Sequence, residues 1–222
     1  MDARLSVVVP ALNEAAGIEA CLRALAPLRA RGHEVLVVDG GSTDGTARLA
    51  EPHCDKLLAS RAGRARQMNA GAAIAAGDAL LFLHADTALP PEADRAVLAA
   101  LAVRPWGRFD VRIASRDPRL AVVGWCMNWR SRLSGIATGD QAIFVRRADF
   151  PGFPEIALME DVAFSRAMKR VAPPACLRQR VSTSARRWER RGVLATVLLM
   201  WRLRLQYWLG ADPDDLARRY SR

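Results

Sequence analysis

The sequence has few of the residues that build histidine and cysteine metal sites. Among its 222 residues are three histidines, His33, His53 and His84, which are too few and too dispersed for a three-histidine site. The four cysteines are scattered, and no two of them form a C-x-x-C pair. Cys126 lies between apolar residues, so we expect it in the core. We therefore expect no structural zinc, no disulfide framework and a reducing, cytoplasmic environment.

Long apolar runs and several common catalytic signatures are also missing. The longest uncharged apolar stretches, 120–129 and 192–201, are about half as long as the roughly 20 residues that a membrane span needs. The chain has no G-x-G-x-x-G, no G-x-x-x-x-G-K-S/T and no G-x-S-x-G motif. A dinucleotide fold, a P-loop and a serine hydrolase therefore have no support from motifs.

Lysine is nearly absent, although the chain is strongly basic. Two of the 33 basic residues are lysines, Lys56 and Lys169, and the other 31 are arginines, with a formal net charge of +10. The planar guanidinium group suits phosphate and carboxylate. The charge alone fits solvated surfaces, a phosphate-bearing substrate, an anionic membrane or nucleic acid.

Apolar strands alternate with helical patterns through the first half of the chain. The pattern predicts strands at 5–9, 35–38, 56–59 and 80–83, and helices at 14–29, 43–51, 64–76 and 91–102. This alternation predicts an α/β fold with a mainly parallel sheet flanked by helices. Ligands of such sheets bind beyond the carboxyl ends of the strands.

The second half is less regular. It predicts strands at 109–113, 142–145 and 177–183, and helices at 119–133, 159–171 and 188–209. Without repeats or linkers, we expect a single domain over 1–210. It would comprise a nucleotide-binding part at 1–103 and a helical, acceptor-side part at 104–210, followed by a loosely packed tail at 211–222.

Polar side chains follow three of the predicted strands. Asn13 and Glu14 either cap the next helix or bond a nucleoside. Asp39 either forms a turn or accepts hydrogen bonds from a ribose or base. His84 and Asp86 would point the same way in an extended chain, where Asp86 either caps a turn or tethers Mg²⁺ or Mn²⁺ on a pyrophosphate.

Three further charged residues begin predicted helices. Arg64 opens an alanine-rich helix, either as a surface arginine or as part of an anion site at the helix N-terminus. Glu160 and Asp161 follow a loop rich in proline and glycine. They are either partners of the helix dipole or a pair that includes a general base.

In this order, these segments resemble family-2 glycosyltransferases of the GT-A fold. The matching text is VVVPALNE at 7–14, VVDGGSTDGT at 37–46, GR at 63–64, MNAG at 68–71, LFLHAD at 81–86 and ED at 160–161. The chain is also similar to a short bacterial subgroup, through TGDQ at 138–141, LMED at 158–161 and TSARRW at 183–188. The likeness is close to about residue 90 and looser beyond it.

The resemblance implies an inverting, metal-dependent transfer of a sugar from a nucleotide-sugar donor, UDP-linked, to an acceptor hydroxyl. It implies nucleotide-binding roles for Pro10, Asn13, Glu14, Asp39, Arg64 and Ala85, and metal-binding roles for Asp86 and His84. It implies that Asp161 is the base, with Glu160 beside it. The candidates on the acceptor side are Asp140, Gln141, Arg187 and Trp188.

Two departures and two alternatives accompany the resemblance. His84 stands where the D-x-D motif has its first Asp, which leaves the metal affinity and the ion preference open. Ser184 stands at the Gln position of the Q-x-x-R-W motif of processive synthases, and the chain has no apolar run long enough to span a membrane, so we expect one sugar per encounter. A non-catalytic nucleotide-binding module and a membrane-surface protein are the alternatives. The Trp-rich helices at 119–133 and 188–209 would lie on an anionic membrane, pack on the sheet or form a homodimer.

The acceptor is expected to be a small molecule or a lipid-linked molecule. Peripheral contact with the inner face of the membrane would suit the latter. Nucleic acid is not expected as a partner, because carboxylates at the predicted pocket would repel its phosphates.

Overall fold

A mixed β-sheet forms the centre of the computed structural model, which describes residues 3–221. The strands within these residues are β1 (Leu5–Ala11), β2 (Glu34–Asp39), β3 (Lys56–Ala59), β4 (Ala79–Phe82), β5 (Thr87–Ala88), β6 (Trp106–Ala114), β7 (Phe144–Arg146) and β8 (Ala175–Ser184). Their order in the sheet is β3-β2-β1-β4-β7-β6-β8-β5.

Helices cover both faces of this sheet. In chain order they are α1 (Ile18–Ala24), α2 (Ala26–Ala30), α3 (Thr46–Ala50), α4 (Arg64–Ile74), α5 (Ala93–Val103), α6 (Pro118–Ser134), α7 (Glu160–Val171), α8 (Arg186–Arg191), α9 (Val193–Trp208) and α10 (Pro213–Ser221). Alternate residues of β1 enter two separate cores, with Val7 and Val9 on one face and Val8 on the other. The strand is therefore apolar throughout because it is buried on both sides.

The first four strands of the sheet, β3 to β4, are parallel, which confirms the predicted α/β architecture. The chain runs from β1 to β2 on one side and later returns to β4 on the other, so a crevice opens at the carboxyl end of β1. Beyond β4 the sheet is mixed. β7 is antiparallel to both β4 and β6, and β8 is parallel to β6 and antiparallel to β5.

The predicted helix at 14–29 is wrong in its length and its cap. α1 begins only at Ile18, and α2 is a separate helix with Pro27 in its first turn. Proline lacks the N–H that a continuous helix would need at this point. Asn13 does not cap α1, because its side-chain Oδ1 accepts a hydrogen bond from the Thr43 N–H at 3.0 Å instead.

Three expectations for the C-terminal half are also wrong. The helix at 188–209 is broken at Gly192, whose φ of 80° and ψ of 149° lie outside the helical region. The tail from Ala211 is not loose, because α10 buries Leu216 completely against a cluster that contains Leu203. Cys126, expected in the core, is exposed. Within residues 3–221, no helix is both long and apolar enough to cross a bilayer.

Candidate active site

Asp39 is the last residue of β2, and only one of its two carboxylate oxygens accepts hydrogen bonds from the described residues. Its Oδ2 accepts hydrogen bonds from the N–H groups of Gly41 and Ser42, at 3.0 and 2.9 Å. Its Oδ1 is buried and has no hydrogen-bond partner among the described residues. A buried carboxylate oxygen without a donor is costly, so this atom is a ready acceptor for an N–H or O–H group of a ligand.

The loops after β1 and β2 interlock next to Asp39. The Asn13 N–H donates to Ser42 Oγ at 2.9 Å, and the Thr43 N–H donates to Asn13 Oδ1 at 3.0 Å. Asn13 has a φ of +53°, which asparagine tolerates better than most residues. The predicted residues Asn13 and Asp39 therefore lie on one rim at the carboxyl edge of the sheet.

Gln67 connects the ends of β1 and β2 at this edge, and the sequence analysis did not identify this role. Its Nε2 donates to the carbonyl oxygens of Ala11 and Val38, at 2.7 and 2.8 Å, and its side chain is buried. A Cβ at Gly40 would lie 3.0 Å from this atom. The only available signal was one long polar residue on the inner side of an alanine-rich helix.

Glu14 and Asp86 meet on the same edge through an arginine that the sequence analysis did not single out. Arg186 Nη2 donates to Glu14 Oε2 at 2.9 Å and lies 3.6 Å from Asp86 Oδ2. The Ser184 N–H donates to the backbone oxygen of Asp86 at 3.2 Å. The end of β8 therefore positions Arg186, the first residue of α8, next to the carboxylates of Glu14 and Asp86.

Asp86 has the properties of a divalent-cation ligand. Its side chain is 31% exposed, its ion pair with Arg186 is long, and its Oδ1 is 3.4 Å from Thr87 Oγ1. Within the described residues, no group of three or more His, Cys, Asp or Glu side chains could hold a metal. Mg²⁺ and Mn²⁺ bound to nucleotides commonly need only one or two carboxylates, because phosphates and waters complete the shell. The residues present fit such an ion when a diphosphate is bound.

His84 does not pair with Asp86, contrary to the expectation. β4 ends at Phe82, and the Thr87 N–H donates to the His84 carbonyl oxygen at 3.0 Å, which makes a turn instead of an extended segment. His84 Nδ1 lies 3.3 Å from Asp140 Oδ1. Its Nε2 is buried without a partner among the described residues, and a Cβ at Gly139 would lie 2.5 Å away. This packing does not support a metal-binding role for His84.

Asp140 is held in its charged form. Burial by itself would raise the pKa of this carboxyl, but the hydrogen bond from His84 and the charge of Arg187 outweigh burial and lower the pKa to about 2. If Asp140 contacts an acceptor, it does so as a negatively charged carboxylate.

Glu160 and Asp161 open α7 beside a small cavity that Arg64, His84 and Gly139 also line. Glu160 is buried, and its Oε1 lies 3.3 Å from Arg64 Nη1. Burial raises the pKa of the Glu160 carboxyl, and the charge of Asp161 adds to the increase. Asp161 Oδ2 accepts a hydrogen bond from the Gly139 N–H at 2.9 Å. The pair therefore combines a buried carboxyl with a carboxylate oriented by a backbone donor.

The loop before this pair is anchored at Phe153. Asn69 donates to the Phe153 carbonyl oxygen and accepts from the Phe153 N–H, both at 2.8 Å. The Phe153 ring stacks on Phe164 with ring centroids 4.6 Å apart. Met159, directly before the pair, has a φ of +71°, which is uncommon for a residue other than glycine. The backbone thus turns sharply to place Glu160 and Asp161.

The remaining candidates divide between the cleft and the core. Arg187 lies over the Tyr220 ring, 4.8 Å from its centroid, and its charge reaches Asp140. Trp188 packs in an apolar cluster between α6 and α9. Gln141 is completely buried, and its side-chain oxygen accepts from the Thr138 N–H at 3.2 Å. The position of Arg187 is therefore compatible with contact to an acceptor. Gln141 and Trp188 are held within the protein and stabilise the fold.

Two of the residues predicted to bind the nucleotide, Pro10 and Ala85, have no polar side chain. Pro10 lies within β1, not at its end, and is half-buried. Ala85 is buried in the core below the edge of the sheet. Neither side chain offers a polar group, so any contact with a nucleotide would be through apolar surface or the backbone.

Comparison with known sequences places this chain in a family. The glycosyl transferase family 2 model matches residues 6–133. The PGL/p-HBAD biosynthesis glycosyltransferase of Mycobacterium bovis (strain BCG / Pasteur 1173P2) is 40% identical over 91 residues, which are 38% of this chain and 36% of that protein. The uncharacterized glycosyltransferase YibD of Escherichia coli K12 is 28% identical over 94 residues, which are 40% of this chain and 27% of that protein. The matched segment spans about a third of these relatives.

Solved structures share the fold. Staphylococcus aureus TarS 1–349 in complex with UDP-GlcNAc has a TM-score of 0.65 at 20% identity, over 82% of this chain and 58% of that one. Glucosyl-3-phosphoglycerate synthase from Mycobacterium tuberculosis, in complex with Mn²⁺, UDP and glucosyl-3-phosphoglycerate, has a TM-score of 0.62 at 18% identity, over 82% and 71% of the two chains. These likenesses confirm the GT-A fold, and with the family match over more than half of its length, the chain belongs to glycosyl transferase family 2.

Proposed function

We propose that this protein transfers a sugar from a UDP-linked donor to an acceptor hydroxyl with inversion at the anomeric carbon. The observation that carries this proposal is the unpartnered, buried Oδ1 of Asp39. It lies on the sheet edge that also bears Glu14 and Asp86, in a chain of this family. A base N–H or a ribose hydroxyl would satisfy this oxygen, and the diphosphate would then extend toward Asp86.

In this scheme, the two halves of the chain divide the work. Residues 1–103 hold the nucleotide through Pro10, Asn13, Glu14 and Asp39, while residues 104–210 hold the acceptor. Asp86 would hold Mg²⁺ or Mn²⁺, which when bound neutralises charge on the departing diphosphate. Arg186, already beside Asp86, supplies a second positive charge to the same oxygens.

The chemical step is assigned to Asp161. Its carboxylate takes the proton of the acceptor hydroxyl as that oxygen forms a bond to the anomeric carbon. The bond from this carbon to the phosphate oxygen breaks, and its electron pair leaves with the diphosphate. Because attack comes from the face opposite the leaving group, the configuration inverts. Glu160 positions Arg64 by their ion pair.

The proposal is tested by binding and turnover of a panel of nucleotide sugars with Mn²⁺. We expect micromolar to millimolar UDP affinity by calorimetry and hydrolysis or transfer of at least one UDP-sugar. Asp39→Asn is expected to weaken UDP binding by about 10-fold or more, because the amide keeps an oxygen for the loop and presents N–H groups to the base. Asp215→Asn, at an exposed position of α10, is the matched control. If no nucleotide sugar binds or turns over, the enzyme assignment fails, and UDP binding without turnover supports a binding module.

A second role, contact with an anionic membrane, is favoured by two exposed apolar stripes. On α6 the stripe is Val122, Trp125, Trp129 and Leu133, and on α9 it is Leu194, Leu198, Trp201, Leu205 and Trp208, each 48–82% exposed. The two helices are neighbours, since Val123 and Val193 pack in one cluster. Packing of these tryptophan faces on the sheet, one of the three alternatives for the two helices, is therefore wrong.

Charge favours a lipid surface as the occupant of these stripes. Exposed arginines, among them Arg119 on α6 and Arg202 on α9, border the apolar stripes, in a chain of net charge +10. Tryptophan and arginine together suit the boundary between acyl chains and anionic headgroups. We expect the protein to float with vesicles that contain phosphatidylglycerol and Trp125→Gln/Trp201→Gln to float less. A protein that stays unbound, or that forms a stable dimer in light scattering, would contradict membrane contact.

A further inference from the structure

Two hydrogen bonds hold the chain segment 137–139 against α7. The Ala137 N–H donates to Ser165 Oγ at 3.0 Å, and the Gly139 N–H donates to Asp161 Oδ2 at 2.9 Å. The Ser165 hydroxyl also donates to the Ala137 carbonyl oxygen at 3.3 Å. Ser165 is completely buried, so its hydroxyl satisfies both polar groups of the Ala137 backbone away from water. The segment is thus attached to α7 at two points, one of which is the carboxylate assigned as the base.

The two attachment points match because an extended segment and a helix have similar spacings over this distance. Thr138, between the two donors, is extended, with φ of −124° and ψ of 157°, so the N–H groups on either side of it point the same way. Residues two apart in an extended chain are separated by about 6.6 Å. Asp161 and Ser165 are four apart on one face of α7, which is an axial rise of about 6 Å. The segment therefore fixes the position of Asp161 by a second contact one helical turn away.

The imidazole ring of His84 packs against Gly139. A Cβ at Gly139 would lie 2.5 Å from His84 Nε2 and 2.6 Å from His84 Cε1, a closeness that real Cβ atoms do not show. The φ of Gly139 is not positive, so glycine is needed here for space and not for an unusual backbone conformation. The ring is not free to move aside, because the His84 side chain is 14% exposed and its Nδ1 lies 3.3 Å from Asp140 Oδ1. A side chain at position 139 would therefore displace the ring or the peptide.

The orientation of Asp161 depends on the Gly139 peptide. Asp161 Oδ1 accepts a hydrogen bond from the N–H of its own neighbour, Val162, at 2.7 Å. Within residues 3–221, the one donor to Asp161 Oδ2 is the Gly139 N–H. His84, Gly139 and Asp161 all line the cavity beside the acid pair. A shift of the Gly139 peptide would therefore change the direction of the Asp161 carboxylate inside the site.

We propose that Gly139 is a positioning residue for Asp161. Its N–H orients the carboxylate that takes the acceptor proton, and because Gly139 has no side chain, the His84 ring packs on its peptide and holds the N–H in place. His84 thus has a role in this chain that involves no metal. The inference rests on the proposed function for the chemistry at Asp161, whereas the contact between Gly139 and His84 is independent of that chemistry.

The first test compares kcat with the KM for the donor. Gly139→Ala is expected to lower the kcat for UDP release at least about 10-fold, since a misplacement of about 1 Å can cost about 10²-fold in rate. The KM for the donor should change less than about 2-fold, because the contact acts on the chemical step. Gly17→Ala is the matched control, since Gly17 has a φ of −131° and a Cβ there would meet no atom within 4 Å. A donor KM that rises as much as kcat falls would overturn the proposal.

The Asp161→Asn background tests whether Gly139 acts through Asp161. In that background, Gly139→Ala should lower the residual kcat less than about 2-fold further, because residues that act as a unit do not contribute additively. A loss of the same size with and without Asp161→Asn would show that Gly139 acts elsewhere, and it would overturn the positioning role.

The His84→Ala background tests the packing, because it removes the ring that the Cβ of Gly139→Ala would strike. In that background, Gly139→Ala should lower kcat less than about 3-fold and should lower the melting temperature by less than half of its effect in the wild type, as expected for residues in contact. Equal effects in the two backgrounds would overturn the packing of Gly139 on His84. If no nucleotide sugar turns over, the proposed function and the role of Asp161 fail together, whereas the melting temperatures still decide whether Gly139 and His84 are coupled.

Discussion

Asp161→Asn is expected to lower the kcat for sugar transfer by a factor of about 10² to 10⁴, the usual contribution of a general base. The asparagine oxygen can still accept the hydrogen bond that the Gly139 N–H donates at 2.9 Å in the native protein. The backbone around the site should therefore be preserved, and the Kd for UDP should change less than about 2-fold. Transfer is measured by UDP release and UDP binding by calorimetry.

Asp149→Asn is the matched control for this substitution. Asp149 is partly exposed, and among residues 3–221 its one ion pair is with Arg146, at 3.0 Å, away from the acid pair. Its kcat should stay within about 2-fold of the wild type, because a surface ion pair contributes little. Retained transfer in Asp161→Asn would disqualify Asp161 as the base, and loss of UDP binding would indicate that the substitution disturbs the fold instead of the chemistry.

Asp86→Ala is expected to reduce kcat/KM by at least about 10²-fold and to raise the Mn²⁺ concentration needed for half-maximal transfer. A cation that neutralises the leaving diphosphate is worth several kcal/mol in the transition state, and Asp86 is the carboxylate that we propose holds this cation. Chelation of divalent ions by EDTA should abolish transfer in the wild type to a similar extent, and added Mn²⁺ or Mg²⁺ should restore it.

Asp149→Ala should show the wild-type Mn²⁺ dependence and serves as the control. Transfer that survives both EDTA and Asp86→Ala would refute the role of a divalent ion at this residue. The diphosphate charge would then be left to Arg186, which lies 3.6 Å from Asp86 and bonds Glu14.

The parallel half of the fold was predictable because its strands are short apolar runs between clear turn residues. β3 was predicted with its observed bounds, and β1, β2 and β4 were located within about two residues. The polar residues Asn13 and Asp39 were predicted correctly to share an edge, since parallel strands end together. The position of this edge depends on local sequence and on sheet geometry alone.

The errors arise where distant segments decide the conformation. His84 was paired with Asp86 on the assumption of an extended chain, but Thr87 pairs with Thr183 in β8 and the chain turns first. Arg186 reaches Glu14 from 172 positions away, a contact that no local pattern encodes.

The placement of β7 and β8 has a consequence for dividing the gene. A fragment that ends at residue 133, where the family match ends, would keep β1 to β4 as a sheet. It would separate β6 from β4, since β7 lies between them, and it would separate β5 from β6, since β8 lies between those two. Both orphaned strands would then expose open edges, which favour aggregation. A recombinant boundary chosen at the end of the segment that the family model matches would therefore yield an insoluble product, and a sound boundary must lie beyond Ser184.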